Sequence, residues 1–254
     1  MRTIMMLIAV VCYFAFFGSF VYLVGWIGSF DQLPFAIGGF DGFPTTVDKG
    51  REASMGTAVL IDIALIVLFG LQHSVMARPG FKRGWTKIVP QPLERSFYLL
   101  ATVLALAALY YFWHPIEGSL WSVQNETARM AIWVLFFIGW GILFTATWLL
   151  NHFELFGLQQ AWHHMLGKQA QPMSMKTPLL YRLVRHPIYT GFFIAFWATP
   201  DMTYSHLLAA VGFTIYIVIG IAYEERDLLA VFGQEYAEYQ KRVGAFIPGL
   251  GKKG

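Results

Sequence analysis

Charge is scarce in this sequence. Asp, Glu, Lys and Arg make up 13% of its 254 residues, against about 25% in soluble domains. That shortage, beside 57% hydrophobic residues, excludes both an ordinary water-soluble globule and a disordered chain. Cysteine is nearly absent. Cys12 stands alone in an apolar run, so no intrachain disulfide is possible and a buried apolar side chain is expected. A strong charge of one sign is missing too: 18 basic residues against 15 acidic leave +3, too little and too scattered for a nucleic-acid surface, so no nucleic-acid partner is expected. The sequence has no Gly-rich phosphate loop, no Gly-x-Ser-x-Gly elbow and no His-x-x-x-His pattern. His163 and His164 are adjacent and point apart on a helix, so no metal is expected. There is no internal repeat.

Long apolar runs are what the chain does have. Residues 4–27 begin behind a single Arg2. They are too long for a signal-peptide core of about 7–15 residues and long enough for a membrane helix of roughly 20. Residues 53–75, 97–113 and 128–150 read as three further spans, joined by Gly- and Pro-rich loops such as 31–49 and 77–92. The last apolar stretch is broken at Pro200 and Asp201 into 188–199 and 206–223, which predicts a helical hairpin with its tip at 200–205. Beyond it, Leu228, Phe232, Tyr236, Tyr239 and Val243 recur at helical spacing, predicting an amphipathic helix. The fold class expected is an all-α polytopic membrane helix bundle: four spans, a C-terminal hairpin and a cytoplasmic amphipathic helix. With both termini inside, 15 of the 18 basic residues fall on the inner face, and only Lys49, Arg51 and Arg129 lie outside. Such asymmetry is what membrane insertion selects.

The polar residues gather in one region. Asn151, His152 and Glu154 lead out of the fourth span, and His163 and His164 follow. Tyr181, Arg185, His186, Pro187 and Tyr189 enter the hairpin, and Glu224, Glu225, Arg226 and Asp227 leave it. When the hairpin closes, Arg185 and His186 face Glu224 and Glu225. Cations, carboxylates and imidazoles at the rim of an apolar region suit an amphipathic, charged cofactor. The plainer alternative is snorkelling span-end anchors and a solvated acidic face.

Arg185-His186-Pro187-Ile188-Tyr189-Thr190-Gly191 resembles the R-H-P-x-Y-x-G motif of the isoprenylcysteine carboxyl methyltransferase family. Glu224-Glu225, followed by Phe232-Gly233-Gln234-Glu235-Tyr236, Tyr239 and Arg242-Val243, resembles that family's tail, so the likeness covers roughly residues 181–248. Residues 151–158, with Gln72-His73-Ser74 and the chain length, are similar to one branch, the bacterial membrane methanethiol S-methyltransferases. The resemblance implies S-adenosylmethionine-dependent methylation of a small thiol, methanethiol to dimethyl sulfide, by an integral protein of the bacterial inner membrane in contact with membrane lipid. It implies a cofactor pocket open to the cytoplasm and lined by Tyr181, Arg185, His186, Pro187, Ile188, Tyr189, Glu224 and Glu225. The whole chain then forms one domain, with four spans in residues 1–150 and the cofactor-binding region in residues 151–254.

Two positions depart from the family pattern. Its H-x-L-V run, eight residues before Tyr181, reads Met173-Ser174-Met175-Lys176, and the glycine of its G-x-Y is Leu179. Where the carboxyl methyltransferases carry an arginine four residues before the glutamate, this chain has Gly220. Losing that cation disfavours a carboxylate acceptor and agrees with a small, uncharged one. A thiol must shed its proton to attack, which calls for a nearby base. His164 and His163 are expected in that role, with Tyr181 as an orienting hydroxyl and His152 and Glu154 as further candidates; His73 is open to either reading. Asp62, in mid-span, is expected to make a structural hydrogen bond. The rival readings are methylation of a prenylcysteine or phospholipid, an NADPH-dependent membrane reductase of similar hairpin, and a haem or quinone carrier.

Overall fold

The computed structural model describes residues 1–30, 44–168 and 174–253. The loop expected over 31–49 is thus described only from residue 44, and Met173 of the departing motif lies outside the described residues.

Local chemistry marks most helix ends. Helix α1 (Arg2–Gly28) stops where Ser29 turns left-handed at φ 43°. Helix α2 (Met55–Ala77) starts at Ser54, whose hydroxyl accepts the Thr57 N–H at 3.4 Å. It ends at Arg78, held extended as the residue before a proline must be; Pro79 then opens α3 (Pro79–Trp85). After α4 (Glu94–Phe112) comes α5 (Glu126–Leu150), capped by the Asn125 side chain accepting the Ala128 N–H at 2.9 Å. Short helices α6 (His152–Leu155) and α7 (Leu158–Met165) lead on to α8 (Pro187–Trp197), α9 (Tyr204–Phe232) and α10 (Gln234–Arg242). Strands β1 (Ser119–Ser122) and β2 (Asp201–Thr203) pair as a two-stranded sheet.

Five helical segments are long and apolar enough to cross a membrane: Arg2–Gly28, Met55–Ala77, Gln91–Phe112, Glu126–Leu150 and Tyr204–Phe232. The most apolar stretch of α1 has a mean hydropathy of 2.4, yet only 11% of it is buried. In water so large an apolar face would be an aggregation site; in a bilayer it faces lipid, and the helix satisfies its own backbone. The protein is an all-α polytopic integral membrane protein.

The chain divides into two compact units, one of Met1–Leu120, Phe153–Gln171 and Thr203–Ala209, the other of Trp121–His152, Pro172–Met202 and Ala210–Gly254. In the first, Trp26 and Trp113 meet edge to face at 5.1 Å, and the Trp113 indole N–H donates to the Val47 carbonyl at 3.0 Å. At the opposite end of α1, Ala9 packs with Val89, Leu93 and Ala161 of α7. Asp62 makes the structural bond expected of it, accepting the His114 N–H at 2.9 Å.

In the second unit, α5 and α8 cross backbone to backbone. A Cβ built on Gly191 would come within 2.5 Å of the Gly139 carbonyl oxygen, and one on Gly139 within 2.8 Å of the Gly191 oxygen. Small residues permit such an approach in membranes, where dispersion and polar contacts replace the hydrophobic drive. The hairpin expected from Pro200 is present, with the rings of Phe196 and Phe213 at 5.3 Å and the Trp197 indole donating to Thr214 at 2.9 Å. Arg129 clamps Asp201 at the tip through bonds of 3.0 and 2.7 Å.

One element differs from expectation. The apolar run expected to end at residue 223 continues as helix to Phe232, because Glu224, Glu225 and Arg226 end the apolar run without opposing a helix. Gly233, at φ 55°, ends it. Leu228 and Phe232 therefore belong to α9, and only Tyr236 and Tyr239 of the expected amphipathic stripe ride on α10.

Candidate functional site

The second unit gathers its polar groups where α8 begins. The bridge Val184–Gly244 and two backbone bonds, Arg185 N–H to the Gly244 carbonyl at 2.9 Å and His186 N–H to the Ala245 carbonyl at 3.0 Å, seat the chain's last residues beside this turn. Pro187 then opens α8 at its first position, where no N–H is needed. Gly244 is required by crowding, since a Cβ there would meet the Ile247 carbonyl oxygen at 2.6 Å.

Arg185 is buried, and all five of its guanidinium N–H groups have acceptors within the chain. Nε and Nη2 donate to Glu225 Oε1, Nη1 to the Gln240 and Val243 carbonyls, and Nη2 again to the Gly251 carbonyl. Glu225, also buried, is equally engaged. Its Oε1 faces His186 Nε2 at 3.3 Å, while its Oε2 accepts from Gln240 Nε2 at 2.9 Å and Lys253 Nζ at 2.8 Å. Arg185 and Glu225 thus form the frame that ties α8, α9, α10 and the C-terminal residues together.

Glu224 is the open member of the pair. Its side chain is 44% exposed, and His186 Nδ1 lies 3.7 Å from its carboxylate. His186 stands between the two glutamates, its ring 5.6 Å from that of Tyr189. Buried Tyr181 aims its hydroxyl at the Ala146 carbonyl at 3.4 Å, and its own carbonyl accepts from Tyr239. Burial first, then the charge of Glu224 and the neighbouring Tyr239, push the Tyr181 phenol above its ordinary range, which keeps the hydroxyl protonated. Pro187 is buried and Ile188 half-buried on the first turn of α8. A Cβ at Gly220 would lie 3.7 Å from the Tyr189 hydroxyl, so the position where the carboxyl methyltransferases bear an arginine looks onto the same tyrosine.

Of the residues singled out in the sequence, Tyr181, Arg185, His186, Pro187, Ile188, Tyr189, Glu224 and Glu225 all fall in this unit. His163 and His164 do not. They are half-buried on α7 in the first unit. His152 belongs to the second unit, buried beneath Trp148 with the rings stacked at 4.6 Å and Nδ1 2.9 Å from the Thr147 hydroxyl; burial lowers its pKa from the ordinary histidine value. His73 sits in the first unit, Nδ1 3.3 Å from the Thr102 hydroxyl. Gln240 and Lys253 escaped notice in the sequence, and Tyr236 was noted there only in the amphipathic stripe and the tail motif. The signal for Gln240 was present, because Tyr236, Tyr239 and Gln240 stand at i, i+3 and i+4 on one face of α10.

An integral membrane protein with a buried Arg–Glu–His frame and one open carboxylate at the foot of a Pro-started helix is the class these features define. Over 247 residues the chain is 44% identical to Methanethiol S-methyltransferase 1 of Bradyrhizobium diazoefficiens, spanning 97% of this chain and 83% of that one. It is 43% identical to the methanethiol S-methyltransferase of Crocosphaera subtropica across 99% of this chain and 94% of the other. Nurim of Rattus norvegicus is 30% identical across 70% of this chain and 71% of its own. No protein-family model and no solved structure matches the chain. The chain belongs to the methanethiol S-methyltransferase family.

Proposed function

We propose that this protein transfers the methyl group of S-adenosylmethionine to methanethiol, giving dimethyl sulfide, from a site on the cytoplasmic face of the bacterial inner membrane. The observation that carries the reading is Glu224: a half-open carboxylate 3.7 Å from His186 Nδ1, in a chain 44% identical to a relative of that name. The donor set fits the cofactor. An ammonium and ribose hydroxyls want a carboxylate acceptor, and a sulfonium is stabilised by aromatic faces such as Tyr189. When bound, S-adenosylmethionine supplies a methyl carbon whose bond to the sulfonium breaks as the acceptor sulfur takes it.

The residues of the chain do the rest. Glu224 holds the cofactor's cationic or hydroxyl groups, and His186 orients that carboxylate. Arg185 and Glu225 fix the backbone of both. Tyr181 offers a neutral hydroxyl. His164, with His163 beside it on α7, is the residue proposed to accept the thiol proton at a ring nitrogen. Alignment of acceptor and donor in such a site can be worth about 7–11 kcal/mol of the barrier. Gly220, lacking a cation, favours an uncharged acceptor. Both termini face the cytoplasm, an orientation supported by the 15 basic residues it places inside.

The test is headspace analysis after methanethiol and S-adenosylmethionine are added to membranes containing the protein. Dimethyl sulfide is expected, and none from a prenylcysteine-only reaction; its absence ends the reading. His164→Ala is expected to cut turnover while cofactor affinity stays within about twofold.

A further inference from the structure

Lys253 reaches the buried frame from the surface. Its ammonium lies 2.8 Å from Glu225 Oε2, yet its side chain is 55% exposed where that of Glu225 is 4% exposed. An exposed lysine on an exposed partner contributes little; here the partner is a buried carboxylate, and the backbone delivers the lysine to it. The Ala245 N–H donates to the Leu250 carbonyl at 2.7 Å and the Leu250 N–H to the Ile247 carbonyl at 3.1 Å, closing a loop. Gly249 and Gly251, at φ 80° and 74°, turn the chain where a side chain would be strained. The Lys253 N–H then donates to the Gln240 carbonyl at 3.2 Å, which sets the lysine beside α10.

The same segment grips α8. The Thr190 hydroxyl donates to the Phe246 carbonyl at 2.6 Å, and the rings of Phe246 and Phe193 meet at 5.6 Å. Gly251 supplies the carbonyl that accepts from Arg185 Nη2. Residues 244–253 thus form a strap across the frame, with Lys253 as its cation. Arg185 and His186 engage Glu225 Oε1, while Gln240 and Lys253 engage Oε2. A line of polar contacts runs from Lys253 to Glu225 at 2.8 Å, on to His186 at 3.3 Å and to Glu224 at 3.7 Å.

We propose that Lys253 is a positioning residue for the methyl donor: by holding Glu225 Oε2 it fixes the plane of that carboxylate, and through it the His186 ring and the stance of Glu224. The inference rests on the cofactor reading above and adds the strap 244–253 to the site.

The experiment compares wild type, Lys253→Met and Lys253→Arg as full-length proteins in detergent. Each is titrated calorimetrically with S-adenosylhomocysteine, unfolded thermally without ligand, and assayed for the KM of both substrates. Met keeps the stem and loses the charge, and is expected to weaken S-adenosylhomocysteine binding roughly fivefold. It is expected to raise the KM for S-adenosylmethionine, leave that for methanethiol unchanged and barely move the melting temperature. Arg keeps a cation and is expected to restore affinity to within about twofold of wild type. Unchanged affinity in the Met variant, with or without a lower melting temperature, overturns the inference. A loss of the same size in the Arg variant, or an equal rise in both KM values, overturns it too. Wild-type protein that does not bind S-adenosylhomocysteine removes the cofactor reading and this inference with it, a result distinct from the others.

Discussion

Two adjacent glutamates show how one residue's surroundings decide its role. Glu225 is buried among Arg185, His186, Gln240 and Lys253, whereas Glu224 is nearly half exposed with His186 Nδ1 at 3.7 Å. Removing one member of a buried charge pair leaves the other desolvated and uncompensated, at a cost of about 3–5 kcal/mol. Arg185→Ala is therefore expected to lower the thermal unfolding temperature markedly, even without ligand. Glu224→Ala should leave unfolding nearly unchanged and weaken S-adenosylhomocysteine binding at least about tenfold. Thermal scans and calorimetry on the two variants separate frame from ligand contact. Were both to lose stability alike, Glu224 would belong to the frame.

Among elements, the pairing of α5 with α8 governs where the site stands. Gly139 and Gly191 let the backbones touch, and α8 carries His186, Pro187, Ile188 and Tyr189 at its start. A methyl group at position 191 would fall within 2.5 Å of a backbone oxygen and 2.8 Å of the Leu143 backbone nitrogen, neither of which can swing aside as a side chain does. Gly191→Ala is expected to cost about 1–3 kcal/mol of stability through overpacking, and to lower cofactor affinity as the first turn of α8 shifts. By contrast, Gly141→Ala, on the partner helix α5 with nothing within 4 Å, should be neutral in both thermal unfolding and binding. The two variants measured side by side distinguish a packing requirement at the crossing from a general intolerance of glycine substitution in this helix pair.

At the scale of the whole molecule, the question is orientation in the bilayer. Basic residues sit at Arg2, between Arg78 and Arg95, between Lys168 and Arg185, and from Arg226 onward, so the proposed topology puts all of these on the cytoplasmic side. Cys12 is the chain's single cysteine and is buried, which makes introduced cysteines simple to read. Lys252→Cys is expected to react with a membrane-impermeant maleimide only after the cells are opened, and Lys49→Cys to react in intact cells. The reverse pattern would place the candidate site outside, away from the cytoplasmic pool of S-adenosylmethionine.

Hydrophobic run length and the scarcity of charge were enough to read the membrane class and the helices that cross it, because those properties act residue by residue along the chain. The motifs Arg185–Gly191 and Glu224–Glu225 likewise marked the candidate site before any packing was known. Which of two neighbouring glutamates turns inward was not legible: successive residues on a helix point about 100° apart, and only the partners packed against α9 decide which direction is interior. The same holds for Arg185, whose five donors are all taken by acceptors from distant parts of the sequence. Sequence determined what the lipid would accept; tertiary packing decided which polar groups satisfy one another in the interior and which, like Glu224, stay open.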